Sequence, residues 1–322
     1  MAIIFSGTKW QAAHLDFSAT AVPGGTTQVS HLTQYSPGSF SYSFNGVSGA
    51  INLRPLAVTG SWSTTGDGST RVVIGSGLTV DAANNLTGGT AQVLTTIPTA
   101  TPGAALAIIG ISVAVTDLIA AAATPGGADD AALIRQMLAG NDLAGLSNRS
   151  DVFASGGGID LIFGNGGNDR LTLGASMDCA MGGFGKDTLL GGAGDDLLAG
   201  NQASDRLLGG AGRDMLAGGK GRDVLSGGAG ADTFVFLPGD GHDRISDFNA
   251  RQDVISLGVP GGHLADVSVS TDGADALVTY HDNVIRLSGL AGVQLADLDI
   301  RFSFNLAESR LDTFVNIFDF HG

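Results

Sequence analysis

Residues 182–235 read GGFGKDTLL, GGAGDDLLA, GNQASDRLL, GGAGRDMLA, GGKGRDVLS and GGAGADTFV, six nonapeptides in unbroken succession. Each carries aspartate at its sixth place. The same step runs backward without a slip, so Asp142, Asp151, Asp160, Asp169, Asp178, Asp187, Asp196, Asp205, Asp214, Asp223 and Asp232 all stand nine residues apart. A repeat this regular over residues 137–235 is one short structural unit stacked many times. Glycines in the six residues ending at Asp suit a tight turn that visits positive φ, and the remaining three residues form a strand.

At position eight of that strand stand Phe153, Ile162, Leu171, Leu189, Leu198, Leu207, Leu216, Leu225 and Phe234, with Ala144 and Ala180 as undersized exceptions. These side chains are expected to point inward. If successive strands alternate between two facing sheets, every second repeat stacks on the same side, about 4.8 Å from its neighbour. Asp196, Asp214 and Asp232 then form one column. Stacked carboxylates repel, yet calcium–oxygen distances of about 2.4 Å fit between them. Glu overreaches this geometry, and the acids of the chain are 30 Asp to one Glu, Glu308.

The full copies match G-G-x-G-x-D-x-U-x, U being a large apolar residue, and so resemble the calcium-binding nonapeptides of RTX proteins, which are secreted by bacteria. The resemblance implies an all-β fold with little helix: a small N-terminal β domain, a calcium-bound parallel β-roll and a C-terminal capping hairpin. It implies several bound Ca2+ ions, held by Asp160, Asp169, Asp187, Asp196, Asp214, Asp223 and Asp232, with Asp151, Asp178, Asp205 and Asp243 as further members. The accompanying turn glycines are Gly164, Gly167, Gly183, Gly185, Gly192, Gly194, Gly210, Gly212, Gly219, Gly221, Gly228 and Gly230. Three copies keep Asp but lose glycine: LSNRSDVFA (146–154), LGASMDCAM (173–181) and GNQASDRLL (200–208). Strained turns or weak calcium binding are expected there. Of the nine same-side pairs that eleven turns offer, about half are expected to hold calcium. The strongest are Asp196 with Asp214, Asp214 with Asp232, and Asp169 with Asp187.

Composition narrows the function. The chain has 322 residues, 43% hydrophobic, and a net charge of -15, which opposes nucleic-acid binding and favours divalent cations. The single cysteine, Cys179, excludes an internal disulfide framework. Calcium is expected to supply the missing cross-links. MAIIFSGTKW has no basic n-region, so no Sec signal peptide is expected at the start of the given sequence. AALAIIGISVAVTDLIAAAA (104–123) is the one membrane-like stretch, and its interior Asp117 argues against a span. A strand around Ile108–Val115 followed by a short helix is expected instead.

Four segments follow: a β-rich unit (1–100), a strand and helix linker (101–136), the roll (137–235) and a C-terminal cap (236–322). In the linker, ADDAALIRQMLAG (128–140) reads as a helix which, with the strand before it, covers one edge of the roll. GSGLTVDAANNLTGGT (75–90) carries hairpin punctuation at Asn84, Asn85, Gly88 and Gly89. TFVFLPGDGHDRISDFNARQDVISLGV (233–259) resembles the segment that closes serralysin-like repeat domains; its Asp243, Asp247 and Asp253 either finish a calcium site or cap turns. Val267–Leu287 alternates like a hairpin with turns at Asp272-Gly273 and Asp282-Asn283. LDTFVNIFDFHG (311–322) resembles an uncleaved type I secretion signal, with a last core-covering strand as the other reading.

No catalytic motif is present. The six histidines never fall at H-E-x-x-H spacing, and Gly46-Val47-Ser48-Gly49-Ala50 fails the G-x-S-x-G pattern of lipases. The expected protein is therefore not an enzyme. It is a calcium-binding extracellular or cell-surface protein, unfolded in calcium-poor cytosol, exported by type I secretion machinery and folded outside. Its expected role is structural or adhesive, as a self-assembling homo-oligomer, filament or biofilm-matrix component. Two alternatives remain: a calcium-dependent module for cell-surface polysaccharide, presenting Trp10, Trp62, Tyr35 and Tyr42, or an enzyme of unrecognised type in the N-terminal region.

Overall fold

The computed structural model describes residue 136 and residues 138–258 and 262–302 with their side chains, and the backbone of eight strands ahead of them. Those strands are β1 (Ile3–Ser6), β2 (Thr26–Ser30), β3 (Ser39–Phe44), β4 (Val47–Asn52), β5 (Gly60–Gly66), β6 (Ser69–Val80), β7 (Leu86–Pro98) and β8 (Leu106–Ala114). β3 and β4 form a separate hairpin, and β2, β5, β6, β7, β8 and β1 pair antiparallel in that order. The strand expected around Ile108–Val115 is thus present as β8. Gly88 lies within β7, opposite Thr79 at a register shift. It belongs to an irregular ladder and not to the hairpin turn expected of it.

The nonapeptides build the roll. Its strands are β9 (Leu143–Gly145), β10 (Val152–Ala154), β11 (Leu161–Phe163), β12 (Arg170–Ala175), β13 (Cys179–Phe184), β14 (Thr188–Ala193), β15 (Leu197–Gln202), β16 (Arg206–Ala211), β17 (Met215–Lys220), β18 (Val224–Ala229), β19 (Thr233–Phe236), β20 (His242–Ile245) and β21 (Val254–Leu257). Odd strands stack in one sheet and even strands in the other, all parallel, as a solenoid of about six turns. Each residue lies opposite the residue 18 positions on, as in Leu189 with Leu207 and Leu207 with Leu225. The position-eight side chains meet between the sheets, and all eleven are at most 1% exposed.

Strands are longer than the three residues the repeat suggested. From β12 to β18 each spans six, running through positions seven to nine and on into the first three residues of the next copy. The ladder skips position one, so Leu190 and Gly192 pair while Gly191 does not. Glycine at position two therefore serves the sheet, and the turn proper is only positions four to six.

The two sheets differ outside. In the even sheet β12, β14, β16 and β18 alternate between buried and more open residues, whereas the odd sheet also buries Leu161, Phe163, Cys179, Met181, Leu197 and Val235 on its outer side.

At the leading end, β9 pairs with β1, in parallel, and β1 with β8. The leading edge of the odd sheet is thus covered by β1, with β8 one place further out, while among the described strands the even sheet ends on β10. Of the expected 128–140 helix, Gln136 is helical, and residues 128–135 and 137 lie outside the described residues. At the far end the parallel ladders run past residue 235 through β20 and β21. They finish on β24 (Asn283–Leu287) and β25 (Asp299–Arg301), while β22 (Val267–Asp272) and β23 (Asp275–Tyr280) complete an antiparallel meander. Its two turns are Gly273-Ala274 and His281-Asp282, each one residue from the expected place. Residues 303–322, with the suggested export signal, lie outside the described residues, as do Trp10 and Tyr35.

Candidate metal centre

Three glycines per repeat have two different physical causes. Gly192 and Gly194, at positions two and four, have φ of 113° and 131°, a left-handed backbone that L side chains avoid. Gly191, at position one, has no such φ. A Cβ there would overlap Asp196 Oδ2 and the carbonyl oxygen of Gly209. Position one is empty because oxygens face it.

The aspartates form two columns. Asp142, Asp160, Asp178, Asp196, Asp214, Asp232 and Asp253 precede strands of the odd sheet; Asp151, Asp169, Asp187, Asp205, Asp223 and Asp243 precede those of the even sheet. Within a column the carboxylate of one turn accepts from the backbone of the turn before. The N–H of Asp196 donates to Oδ1 of Asp214 at 2.8 Å, and that of Asp214 to Oδ1 of Asp232 at 2.9 Å. Nine such bonds tie the eleven in-phase aspartates. Two more continue the columns, from Asp223 N–H to Asp243 Oδ1 at 2.9 Å and from Asp232 N–H to Asp253 Oδ1 at 3.1 Å.

The other oxygen is the informative one. Oδ2 of Asp160, Asp169, Asp178, Asp187, Asp196, Asp205, Asp214, Asp223, Asp232 and Asp243 is buried and accepts no hydrogen bond. Buried acceptors are nearly always satisfied, so ten orphans in two rows require a partner of another kind. Their acidity carries the same message. Burial is the main cause that lifts the carboxyls, to about 8 for Asp178 and Asp205, about 7 for Asp169 and Asp214, and about 6 for Asp160, Asp187, Asp196 and Asp232. The N–H from the preceding turn only partly opposes it, behind the nearby Ser155 hydroxyl at Asp160. Burial also raises Asp223 and Asp243, which face each other.

A hard cation fits these oxygens. At Gly164, Gly191, Gly200 and Gly209 the orphan Oδ2 and the carbonyl of the position-one glycine two repeats on both face the same bare Cα. Mixed carboxylate and carbonyl donors suit Ca2+. Among the described residues no group of three His, Cys, Asp or Glu side chains gathers in one place. That rules against a side-chain cage of the zinc type there, and it does not count the backbone oxygens that matter here.

The degraded copies part company. Ser176, Asn201 and Ala203 occupy the left-handed φ, at 88°, 76° and 81°, which is the strain expected of LGASMDCAM and GNQASDRLL. Yet GNQASDRLL keeps Gly200 at position one, where Asp205 Oδ2 and the Gly218 carbonyl converge as in a full copy. In LSNRSDVFA the Asp151 Oδ2 accepts from both the backbone and the hydroxyl of Ser147, at 2.9 and 2.8 Å. Position one there is Leu146, and in LGASMDCAM it is Leu173; both are buried in the core. In the copy between them Ser155 stands at position one and donates to the Leu173 carbonyl at 2.7 Å.

The acids beyond the last in-phase repeat also separate. Asp243 joins a column with a free Oδ2. Asp253 joins one, but its Oδ2 accepts from Asn249 N–H. Asp247 caps a turn, accepting from Ser226 Oγ and from the N–H groups of Gly227 and Gly228. Asp243-Arg244-Ile245 and Asp253-Val254-Ile255 are thus two further D-x-U units shifted out of phase by short insertions. The apolar residue two places after each Asp was the signal in the sequence. Cys179 is buried, which pushes its thiol up and leaves it a packing residue.

The family description "RTX calcium-binding nonapeptide repeat (4 copies)" matches residues 147–176, 181–216 and 208–245. These residues are RTX calcium-binding repeats. RTX nonapeptides bind Ca2+, and the RTX β-roll is a calcium-binding fold without catalytic function of its own. No curated protein sequence matches the chain. Among solved structures the RTX chain is similar to the extracellular lipase LipA from Serratia marcescens, at 16% identity over 50% of this chain and 40% of the lipase, with a TM-score of 0.23. It is also similar to the R3 subunit of the mannuronan C5-epimerase AlgE6 from Azotobacter vinelandii, at 31% identity over 42% of this chain and 78% of that subunit, with a TM-score of 0.24. The chain therefore spans less than half of the lipase's length. Among the described residues no helix is long and apolar enough to cross a membrane, which says nothing of strands.

Proposed function

We propose that this protein is an extracellular RTX protein whose roll folds when calcium enters the two aspartate columns, and that this coupling keeps the chain unfolded for export by a type I system. The ten orphaned Oδ2 atoms carry the reading. Without a cation they are buried, uncompensated and mutually repulsive, so the roll is unstable at neutral pH. Asp160, Asp169, Asp187, Asp196, Asp205, Asp214, Asp223, Asp232 and Asp243 would ligate by Oδ2, and the position-one carbonyls of Gly182, Gly209, Gly218 and Gly227 would complete the sites. Asp178 offers an orphan oxygen beside Leu173 and is the weaker ligand. Asp151, closed by Ser147, would contribute none.

Extracellular modules bind calcium with dissociation constants of about 0.1 to 1 mM. In millimolar calcium each site at the tighter end contributes roughly 1.4 kcal/mol, and a handful of sites equals the stability of an ordinary domain. Cytosolic calcium is too scarce to do this.

Once folded, the protein serves as a structural or adhesive component of a surface or matrix. The non-catalytic roll, the missing catalytic motif and the position of β2 at the end of the described sheet support this role. Circular dichroism and thermal melting with calcium or chelator test the folding step: an unchanged spectrum and melting point in chelator refute it. Electron microscopy in calcium tests assembly, with ordered polymers expected and dispersed monomers against it.

A further inference from the structure

The even sheet turns its outer face to solvent, and position seven of its strands forms a straight row. Arg170, Thr188, Arg206, Val224, Arg244 and Arg286 stand in register on successive strands. Arg170, Arg206 and Arg244 are exposed. They occupy alternate strands, so their Cα atoms recur about every 10 Å, twice the inter-strand spacing. The neighbouring row at position nine runs Thr172, Leu190, Leu208 and Ser226, each half-exposed. Neither row itself contains an acid, on a chain of net charge -15, and Asp247 accepts from Ser226 Oγ at the far end of the second row.

The arginines are not used up locally. Among the described residues Arg170 and Arg206 join no salt bridge. Arg244 gives only its Nε, to Ser288 Oγ at 2.7 Å, and keeps its terminal nitrogens. Arg286 is different: Asp272 and Asp275 hold it at 2.6 and 3.0 Å, so the terminal hairpin neutralises the fourth cation and ends the row.

We propose that this arginine row is a docking surface for an acidic polysaccharide, lying across the strands with successive carboxylates forked by Arg170, Arg206 and Arg244. Guanidinium matches carboxylate with two parallel hydrogen bonds, which makes Arg and not Lys the suitable cation. Widely spaced cations with hydroxyl and aliphatic groups between them suit a polymer of sparse charge and many hydroxyls. Nucleic acid fits poorly, since its phosphates are dense and the two rows hold no aromatic ring on which a base could stack. The inference rests on the calcium-folded roll, because only the stacked sheet brings residues 36 and 38 positions apart into one row.

The test uses the full chain in millimolar calcium, with hyaluronan as the probe because it carries one carboxylate per disaccharide. Neutral dextran, a DNA duplex and phosphatidylserine vesicles are run beside it, and folding is followed by circular dichroism in the same samples. Salt-sensitive binding of hyaluronan and not of dextran is expected. Arg170→Ala or Arg206→Ala should weaken it about five- to tenfold; Arg170→Glu with Arg206→Glu should abolish it with the spectrum unchanged. Lys186→Ala, on a turn, should leave it intact. A folded protein that ignores hyaluronan, binds duplex or vesicles more tightly, or binds equally after the double Glu change overturns the proposal. A roll that stays folded in chelator and still binds hyaluronan refutes the calcium reading alone.

Discussion

The leading turns of the roll, residues 146–181, and the later ones, residues 182–235, keep the same aspartate at the same place and bond it to the preceding turn in the same way. They differ in what becomes of the second carboxylate oxygen. In the later turns position one is always glycine and faces the Oδ2 of its own copy, joined at Gly191, Gly200 and Gly209 by a carbonyl. In the earlier ones only Gly164 repeats this; Ser147 satisfies Asp151, the Ser155 hydroxyl takes the Leu173 carbonyl, and Leu146 and Leu173 fill the core. Dependence on calcium therefore varies turn by turn with the residue at position one and with what meets the second oxygen, while the first carboxylate oxygen holds the stack in register in every turn. Only the Asp151 turn is closed by its own side chains; Asp160, Asp169 and Asp178 keep an unpartnered Oδ2, so the leading end depends on the ion less than the later end but still depends on it.

That contrast is broken most completely by chelation. Removing calcium at pH 7.5 should remove protection from hydrogen exchange across residues 182–257 while β10, whose Asp151 is closed by Ser147, keeps some of it; equal loss along the whole roll would erase the distinction. Acid is the next largest lever. Burial lifts these carboxyls from the ordinary 3.8 to about 6 to 8 in the folded chain. The folded state then binds more protons than the unfolded one. Stability of the chelated roll should be full below about pH 4 and lost as pH rises through 6 to 8. Circular dichroism in chelator across that range checks the sign, and calcium should remove the dependence by replacing the protons.

Single substitutions sharpen the comparison further. Asp214→Asn sits between two complete turns and should cost about 3 kcal/mol in calcium, the loss of two sites. Asp151→Asn should cost about 1 kcal/mol, independent of calcium, since Ser147 and not an ion holds its Oδ2. Denaturant melts at two calcium concentrations separate the cases. The smallest effect is Ala203→Gly, which should raise the melting midpoint by relieving a left-handed backbone worth about 1 kcal/mol. An unchanged or lower midpoint would mean that the turn tolerates Ala203 without strain.

Much of this was legible in the chain. Nine-residue spacing announced the two columns, and position eight announced the core, because a solenoid repeats its contacts at the period of its sequence. Strand length was not legible: glycine reads as turn, yet here the position-two glycines pair in the ladder. The weak reading of GNQASDRLL missed that its one remaining glycine stands where the oxygens converge. Asp243 and Asp253 slipped out of phase by insertions, so periodicity alone did not place them.

By itself the sequence determined the repeat, its hydrophobic seam, its hard oxygen donors and hence its cation, since all of these are local and periodic. Only the tertiary structure decided which carboxylate oxygens lack a partner and which loops close on themselves. It also decided that three arginines far apart in the chain share one row, and that β1 continues the odd sheet at its leading edge. Those are relations between turns, and they exist only when the 18-residue register brings distant residues within a hydrogen bond of one another.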